Sequence, residues 1–228
     1  MTYGGLRVLG AGVLAMLCAW AGARIYANRH IQPMAALRVP AGMASEPTLS
    51  DRAAAMIAPP VRIPDTLPAF ALNDLQGQAT PITTWAGKSL VINFWATWCE
   101  PCRREIPLLN TLAAEWAAHD VTLVGIAVDY RDKVLQFRDQ FGITYPLLIG
   151  EQDALDAAAT FGMASPVFPF TVFTDRRGEV VALFVGELHR PQADLIMSAV
   201  QNLDKGALRL AQARRQIAEG LDALAQKT

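Results

Sequence analysis

The chain has 228 residues, with 20 Lys and Arg against 21 Asp and Glu, for a formal net charge of −1. Hydrophobic residues make up 52% and charged residues 18%, which excludes a disordered chain and gives none of the basic footprint that nucleic-acid binding requires. Three cysteines are too few for a disulfide scaffold or a four-cysteine zinc site, and only one stretch approaches the ~20 apolar residues of a membrane span, so a multi-pass membrane protein is excluded too.

That stretch comes first. Residues 8–23 carry no charge and are bounded by Arg7 and Arg24. An apolar run at the extreme terminus predicts an export signal or membrane anchor over residues 1–26. Ala21-Gly22-Ala23 offers an A-x-A-like cleavage site, so a cleaved, soluble product stands beside a retained anchor. Arginines flank the run on both sides, and charge alone leaves its orientation open. Cys18 lies inside the run behind Leu17, where a lipoprotein signal needs a small residue; it reads as an apolar filler. Residues 27–60 then scatter Pro33, Pro40, Pro47, Pro59 and Pro60 among Ala, Ser and Gly. They predict a linker, with a short helix near residues 50–57.

From residue 61 the pattern becomes regular. Residues 90–95 form a near-continuous apolar run, as in a strand buried on both faces. Residues 99–118 place Ile106, Leu109, Leu112, Ala113 and Trp116 at helical spacing. A strand is predicted over 121–128, a helix over 133–141, a short strand over 145–149 and a helix over 153–161. Strands over 170–174 and 180–185 are joined by Asp175-Arg176-Arg177-Gly178, with Gly where a positive φ is wanted. A helix over 191–203 opens on Pro191. This alternation predicts an α/β domain over 61–204 with helices on both faces of its sheet. Residues 205–228 add an amphipathic helix, with Leu210, Ile217, Leu221 and Leu224 on one stripe and Arg214, Arg215, Glu219 and Asp222 opposite. Its apolar stripe predicts either docking on the same domain or a partner helix.

The chemistry concentrates in Trp98-Cys99-Glu100-Pro101-Cys102, directly after a buried strand and at a helix start. The unpaired N–H groups and the macrodipole of a helix N-terminus favour a thiolate at Cys99. Cys102, three residues on, lies on nearly the same face and within disulfide reach. Cys99 is thus the predicted attacking thiolate, and Cys102 resolves the mixed disulfide. Pro101 suits a first helical turn and stiffens the loop. The redox-active pair needs no cofactor. No metal is predicted, because there is no second C-x-x-C and the three histidines lack ligand spacing. Glu100 opposes thiolate formation by like charge, and no histidine sits between the cysteines; both favour a reductant over a strong oxidant. The alternatives are an oxidase or isomerase of exported proteins, and a copper chaperone with an added ligand such as His189. His189 reads more simply as a turn residue before Pro191.

The strand ending Phe94-Trp95-Ala96 followed by W-C-x-x-C is the thioredoxin signature. Residues 99–107, C-E-P-C-R-R-E-I-P, resemble the membrane-tethered bacterial reductases of the TlpA/ResA type, and residues 168–178 resemble that family's strand after a cis-proline. The resemblance covers about residues 61–203. It implies a thioredoxin-like fold with a central mixed sheet and the family's insertion after the second core strand, between residues 128 and 150. It implies a cis bond at Pro169 facing the cysteines, with Pro166 the competing candidate, and Phe168 backbone groups offered to a client. Trp98, Glu100, Pro101, Phe168 and Pro169 are the implied substrate-binding residues. Glu105 matches the family's buried acid that tunes the pair and exchanges protons with Cys102; the alternative is a surface glutamate beside Arg103 and Arg104. Pro107 matches a kink in the active-site helix. Asn93 stands where thioredoxin keeps a buried Asp, which moves proton handling to Glu105. Phe168 is bulkier than the residue usual before the cis-proline in thioredoxins, and the loop over 164–168 is longer. The implied location is the periplasm, with the N-terminal segment as tether to the inner membrane. The implied partners are disulfides of exported proteins, such as apocytochrome c or copper-site proteins, and a transmembrane thiol electron donor.

Overall fold

The computed structural model describes residues 63–163 and 165–226. The expected export segment with Cys18, and the linker with its short helix, lie outside the described residues. The apolar run around Ile92 forms β3 (Ser89–Trp95), buried along its whole length. It pairs in parallel with β4 (Val121–Val128) and antiparallel with β6 (Phe170–Thr174). Side chains alternate across it, and so divide the interior into two cores. Leu90, Ile92 and Phe94 pack with Ile82, Phe161 and Phe170 on one face. Val91 and Trp95 pack with Leu109, Leu112 and Phe137 on the other.

A central strand with two apolar faces needs cover on both. One face is covered by α1 (Glu100–Ala117), α2 (Arg131–Phe141), α4 (Arg190–Asp204) and α5 (Leu210–Ala225). The other is covered by α3 (Gln152–Ala159), whose Ala154, Ala157 and Ala158 are buried, and by Ile82 in a 3-10 turn. With β1 (Ala71–Asp74), β2 (Ala79–Pro81), β5 (Leu147–Gly150) and β7 (Val180–Val185), the mixed sheet runs β2-β1-β5-β4-β3-β6-β7. The α2–β5 unit follows β4 and places β5 between β4 and β1, parallel to the first and antiparallel to the second. This is the insertion that the TlpA/ResA resemblance implied, on a thioredoxin-like fold. Gly125 in β4 leaves room for side chains of the strands on either side of it: a Cβ would lie 2.6 Å from Leu147 Cδ2 and 3.1 Å from Trp95 Nε1.

Several expectations shift. The β1–β2 hairpin has no counterpart in the sequence reading. Its strands are 4 and 3 residues long and largely exposed, so they carry no apolar run. What makes the turn is Asp74, whose Oδ1 accepts from the Gln76 and Gln78 amides at 2.8 and 2.9 Å. The α2 helix begins two residues earlier than predicted, at Arg131, capped by extended Tyr130. Strand β5 begins at Leu147 rather than Tyr145, because Pro146 has no N–H to give. The 153–161 helix ends at Ala159. The β6–β7 turn is as predicted, with Gly178 at φ +78°.

The C-terminal helix α5 docks on α4 and β7 and buries Ala213 and Ile217. Arg214, assigned above to the outer side, lies on the docking side instead. Its Nη2 donates to the Val180 carbonyl at 2.6 Å, and its Nη1 pairs with Asp65 Oδ1 at 3.0 Å. Helical spacing explains the correction: 210, 214, 217 and 221 share one stripe.

Candidate active site

The site sits where β3 ends and α1 begins. Cys99 is the N-cap of α1, with Pro101 in its first turn, and the Cys99 Sγ accepts from the Cys102 amide at 3.3 Å. The two cysteines form a disulfide, with Cα atoms 5.3 Å apart. Cys99 is 5% exposed and Cys102 fully buried, so one sulfur lies near the surface and the other behind it. That asymmetry suits an attacking thiol in front and a resolving thiol at the back.

Around the pair the expected contact residues gather. Trp98 is 67% exposed and meets Phe168 edge-on, ring centroids 6.0 Å apart. The Phe168–Pro169 peptide bond is cis, and Pro166 is not part of a cis bond. Phe168 in turn stacks at 6.3 Å on Phe170. Glu100 is exposed beside Cys99, but its charge is shared with Arg103 at 3.8 Å and Arg104 at 3.9 Å. Its like-charge effect on Cys99 is therefore weaker than the sequence reading assumed.

Glu105 is buried, 2% exposed, and is not the surface glutamate of the alternative reading. It lies one helical turn past Cys102. Asn93 Nδ2 donates to its Oε1 at 2.8 Å, and the Leu188 amide donates to Oε2 at 2.8 Å. Asn93 Nδ2 also donates to Thr171 Oγ1 at 3.0 Å. Burial pushes the Glu105 carboxyl up to about 7, against the two hydrogen bonds, and the nearby Glu187 charge adds to the push. A carboxyl with that value can give or take a proton at neutral pH. Tyr145, also buried, is raised by burial first and by the Glu105 charge second.

Three features escaped the sequence reading. Asp129, at the end of β4, is 7% exposed and fixes the segment before Cys99. It accepts from the Thr97 hydroxyl, from the Thr97 amide at 3.3 Å and from the Tyr130 amide at 2.8 Å. The signal was a lone carboxylate closing an apolar strand at the sheet's carboxyl end, where α/β sites form. The second is Thr171, an inward polar residue in an apolar strand. The third is the Leu188 amide, for which a sequence carries no signal.

Among the described residues no three His, Cys, Asp or Glu side chains gather as metal ligands, and His189 is the N-cap of α4. Among the same residues no helix is long and apolar enough to cross a membrane.

The Redoxin family description matches residues 63–197. The thiol-disulfide oxidoreductase ResA of Geobacillus kaustophilus is 30% identical over 142 residues, 62% of this chain and 79% of that one. ResA of Geobacillus thermodenitrificans is 33% identical over 129 residues, 56% of this chain and 72% of the relative. Among solved structures, a thiol:disulfide interchange protein of the thioredoxin family from Chlorobium tepidum superposes with a TM-score of 0.50 at 25% identity, covering 70% of this chain and 98% of that one. The chain belongs to the Redoxin family, as a thioredoxin-like thiol–disulfide oxidoreductase similar to the ResA proteins.

Proposed function

We propose that the protein works as a reductase: Cys99 attacks a disulfide of an exported protein, and Cys102 releases the product by closing the Cys99–Cys102 bond. Two electrons pass from the dithiol to the client. The client leaves with two thiols, and the enzyme is left oxidised. Trp98, Glu100, Pro101, Phe168 and Pro169 are the proposed contacts for the client. Glu105 is the proposed acid that exchanges a proton with the Cys102 thiol. Apocytochrome c and copper-site proteins are the proposed client classes. The proposed place is the periplasm, with residues 1–26 as inner-membrane tether and a transmembrane thiol donor restoring the dithiol. The uncharged run over residues 8–23 supports that placement.

The observation that carries the direction is the setting of Cys99. Its Sγ accepts from the Cys102 amide, while the arginines of the first helical turn are engaged with Glu100 and Glu187. A helix N-terminus alone stabilises a thiolate moderately. A strong oxidant needs a far more stable thiolate, with a pKa as low as ~3.5. The test is the reduction potential of the pair against glutathione and dithiothreitol buffers, read by the fluorescence of Trp95 and Trp98. A value near ~−270 mV or below is expected, and a value near ~−120 mV overturns the reductase reading.

A further inference from the structure

Arg104 precedes Glu105 in α1 but serves a different contact. Its Nε and Nη2 both reach Glu187 Oε2, at 2.9 and 2.6 Å. Glu187 in turn precedes Leu188, whose amide donates to Glu105. A closed ring results. Glu105 accepts from Leu188, Leu188 follows Glu187 in the chain, Glu187 pairs with Arg104, and Arg104 adjoins Glu105. The Arg104 side chain is 54% exposed and that of Glu187 20%. The ion pair thus stands at the boundary between water and a carboxyl that is 2% exposed.

An exposed ion pair contributes little to global stability. This one matters for what it ties down. Residues 186–189 link β7 to α4 and begin at Gly186, whose φ is +109°. Side-chain hydrogen bonds fasten this link to α1 at two points, Glu187 to Arg104 and Leu188 to Glu105. We propose that the Arg104–Glu187 pair is a positioning latch: it pins the β7–α4 link so that the Leu188 amide stays on Glu105 and water stays off it, and it thereby governs proton exchange at that carboxyl. Its effect on disulfide exchange rests on the part assigned to Glu105 above.

The groups facing Glu105 come from every neighbouring element. Cys102 lies one turn before it on its own helix, where Arg104 adjoins it in the chain but is turned to Glu187, and Tyr145 lies before β5. Glu187 lies on the β7–α4 link, and β3 and β6 contribute the uncharged Asn93 and Thr171. His189, next to Leu188, is exposed. Burial is the largest influence on the carboxyl, so opening the link should act mainly by admitting water.

That gives a test with opposite signs. Through-space charge alone makes Glu187→Gln favour the Glu105 carboxylate, by removing a like charge. It makes Arg104→Gln disfavour it, by leaving the like charge of Glu187 unpaired nearby. A latch makes both variants hydrate Glu105 and move its titration down, on the order of 0.5–1 pH unit each. The exchanged pair R104E/E187R should restore the wild-type value. The measurement is the carbon-13 carboxyl titration of Glu105 in the oxidised full-length protein, its resonance identified with Glu105→Gln. Two downward shifts and a restored double variant support the latch. Opposite shifts, no shift, or an unrestored double variant overturn it. The pH profile of exchange between the reduced protein and glutathione disulfide is recorded on the same variants. If the carboxyl titration moves and that profile does not, the latch stands and the part of Glu105 in exchange falls.

Discussion

Two carboxylates are buried at opposite ends of the sheet, and they are held in opposite ways. Asp175, at the end away from the disulfide, is fully enclosed. It accepts from the Arg177 amide at 3.0 Å, the Glu179 amide at 2.7 Å and the Arg177 guanidinium at 2.9 Å. Its charge is matched within its own turn. Glu105, at the disulfide end, accepts from neutral donors, and Glu187 adds a like charge nearby. Matched charge makes a rigid corner; unmatched charge makes a group that changes state. The same side-chain chemistry thus becomes architecture at one end and a proton site at the other.

The largest effect on stability belongs to the architectural end. Asp175→Ala leaves two turn amides without their acceptor and removes one partner of Arg177, which keeps Glu179, and should lose about 3 kcal/mol. A urea midpoint measures this, and the exchange rate per folded molecule should not change. A matching loss of exchange rate would break the division between the two ends.

The next effect is comparable in size and depends on pH. The Glu105 carboxyl is raised from 4.5 to about 7, so between those values the folded protein holds a proton that the unfolded chain has released. Stability therefore falls as pH rises through that window and is level above it, a loss on the order of 3 kcal/mol. Glu105→Gln should flatten the curve across the window and remove the inflection near pH 7 from the exchange rate. Denaturation measured at a series of pH values decides this, and an unchanged slope in the variant would place the titrating group elsewhere.

The smallest effect sharpens the comparison at a third carboxylate, Asp129, which serves the loop before Cys99. Thr97→Val deletes one donor to it and should cost about 1 kcal/mol. It should also loosen the approach to Cys99, visible as faster alkylation of the reduced protein.

Most of the sheet could be read in the chain because its central strands are buried on both sides and its edge strand β7 is still mostly apolar in sequence. Residues 121–128, 170–174 and 180–185 match the observed strands end for end, since a short run that is mostly apolar and β-branched or aromatic admits little else. The β1–β2 hairpin was not legible, because an exposed edge pair needs no apolar pattern and only Asp74 and Gly77 mark its turn. At the site, Cys99 and Cys102 were legible from spacing and from their place after β3. Glu105 and Pro169 were legible only through the family resemblance. In the bare sequence a glutamate beside two arginines reads equally well as a surface residue. Its burial depends on Asn93, Thr171 and the Leu188 amide, which converge from two strands and a link up to 83 residues away. Periodicity reports which face a residue is on, and not which distant donor meets it there. Arg214 makes the same point in reverse: its charge suggested the outer face, while its place on the stripe put it on the docking side.

The contact made by Arg214 has one more consequence. β7 is the last strand of the sheet, and an open outer strand invites pairing by another chain, the first step of aggregation. At Val180 the backbone is already engaged: its carbonyl takes the Arg214 guanidinium and its amide donates to the Asp65 carbonyl at 2.9 Å. Thr66 bridges to Glu179 beside it. The C-terminal helix therefore does more than add apolar cover. Through one arginine it joins Asp65 and Thr66 in occupying the entry end of the outermost strand, so that a neighbouring molecule finds the backbone of Val180 already engaged there.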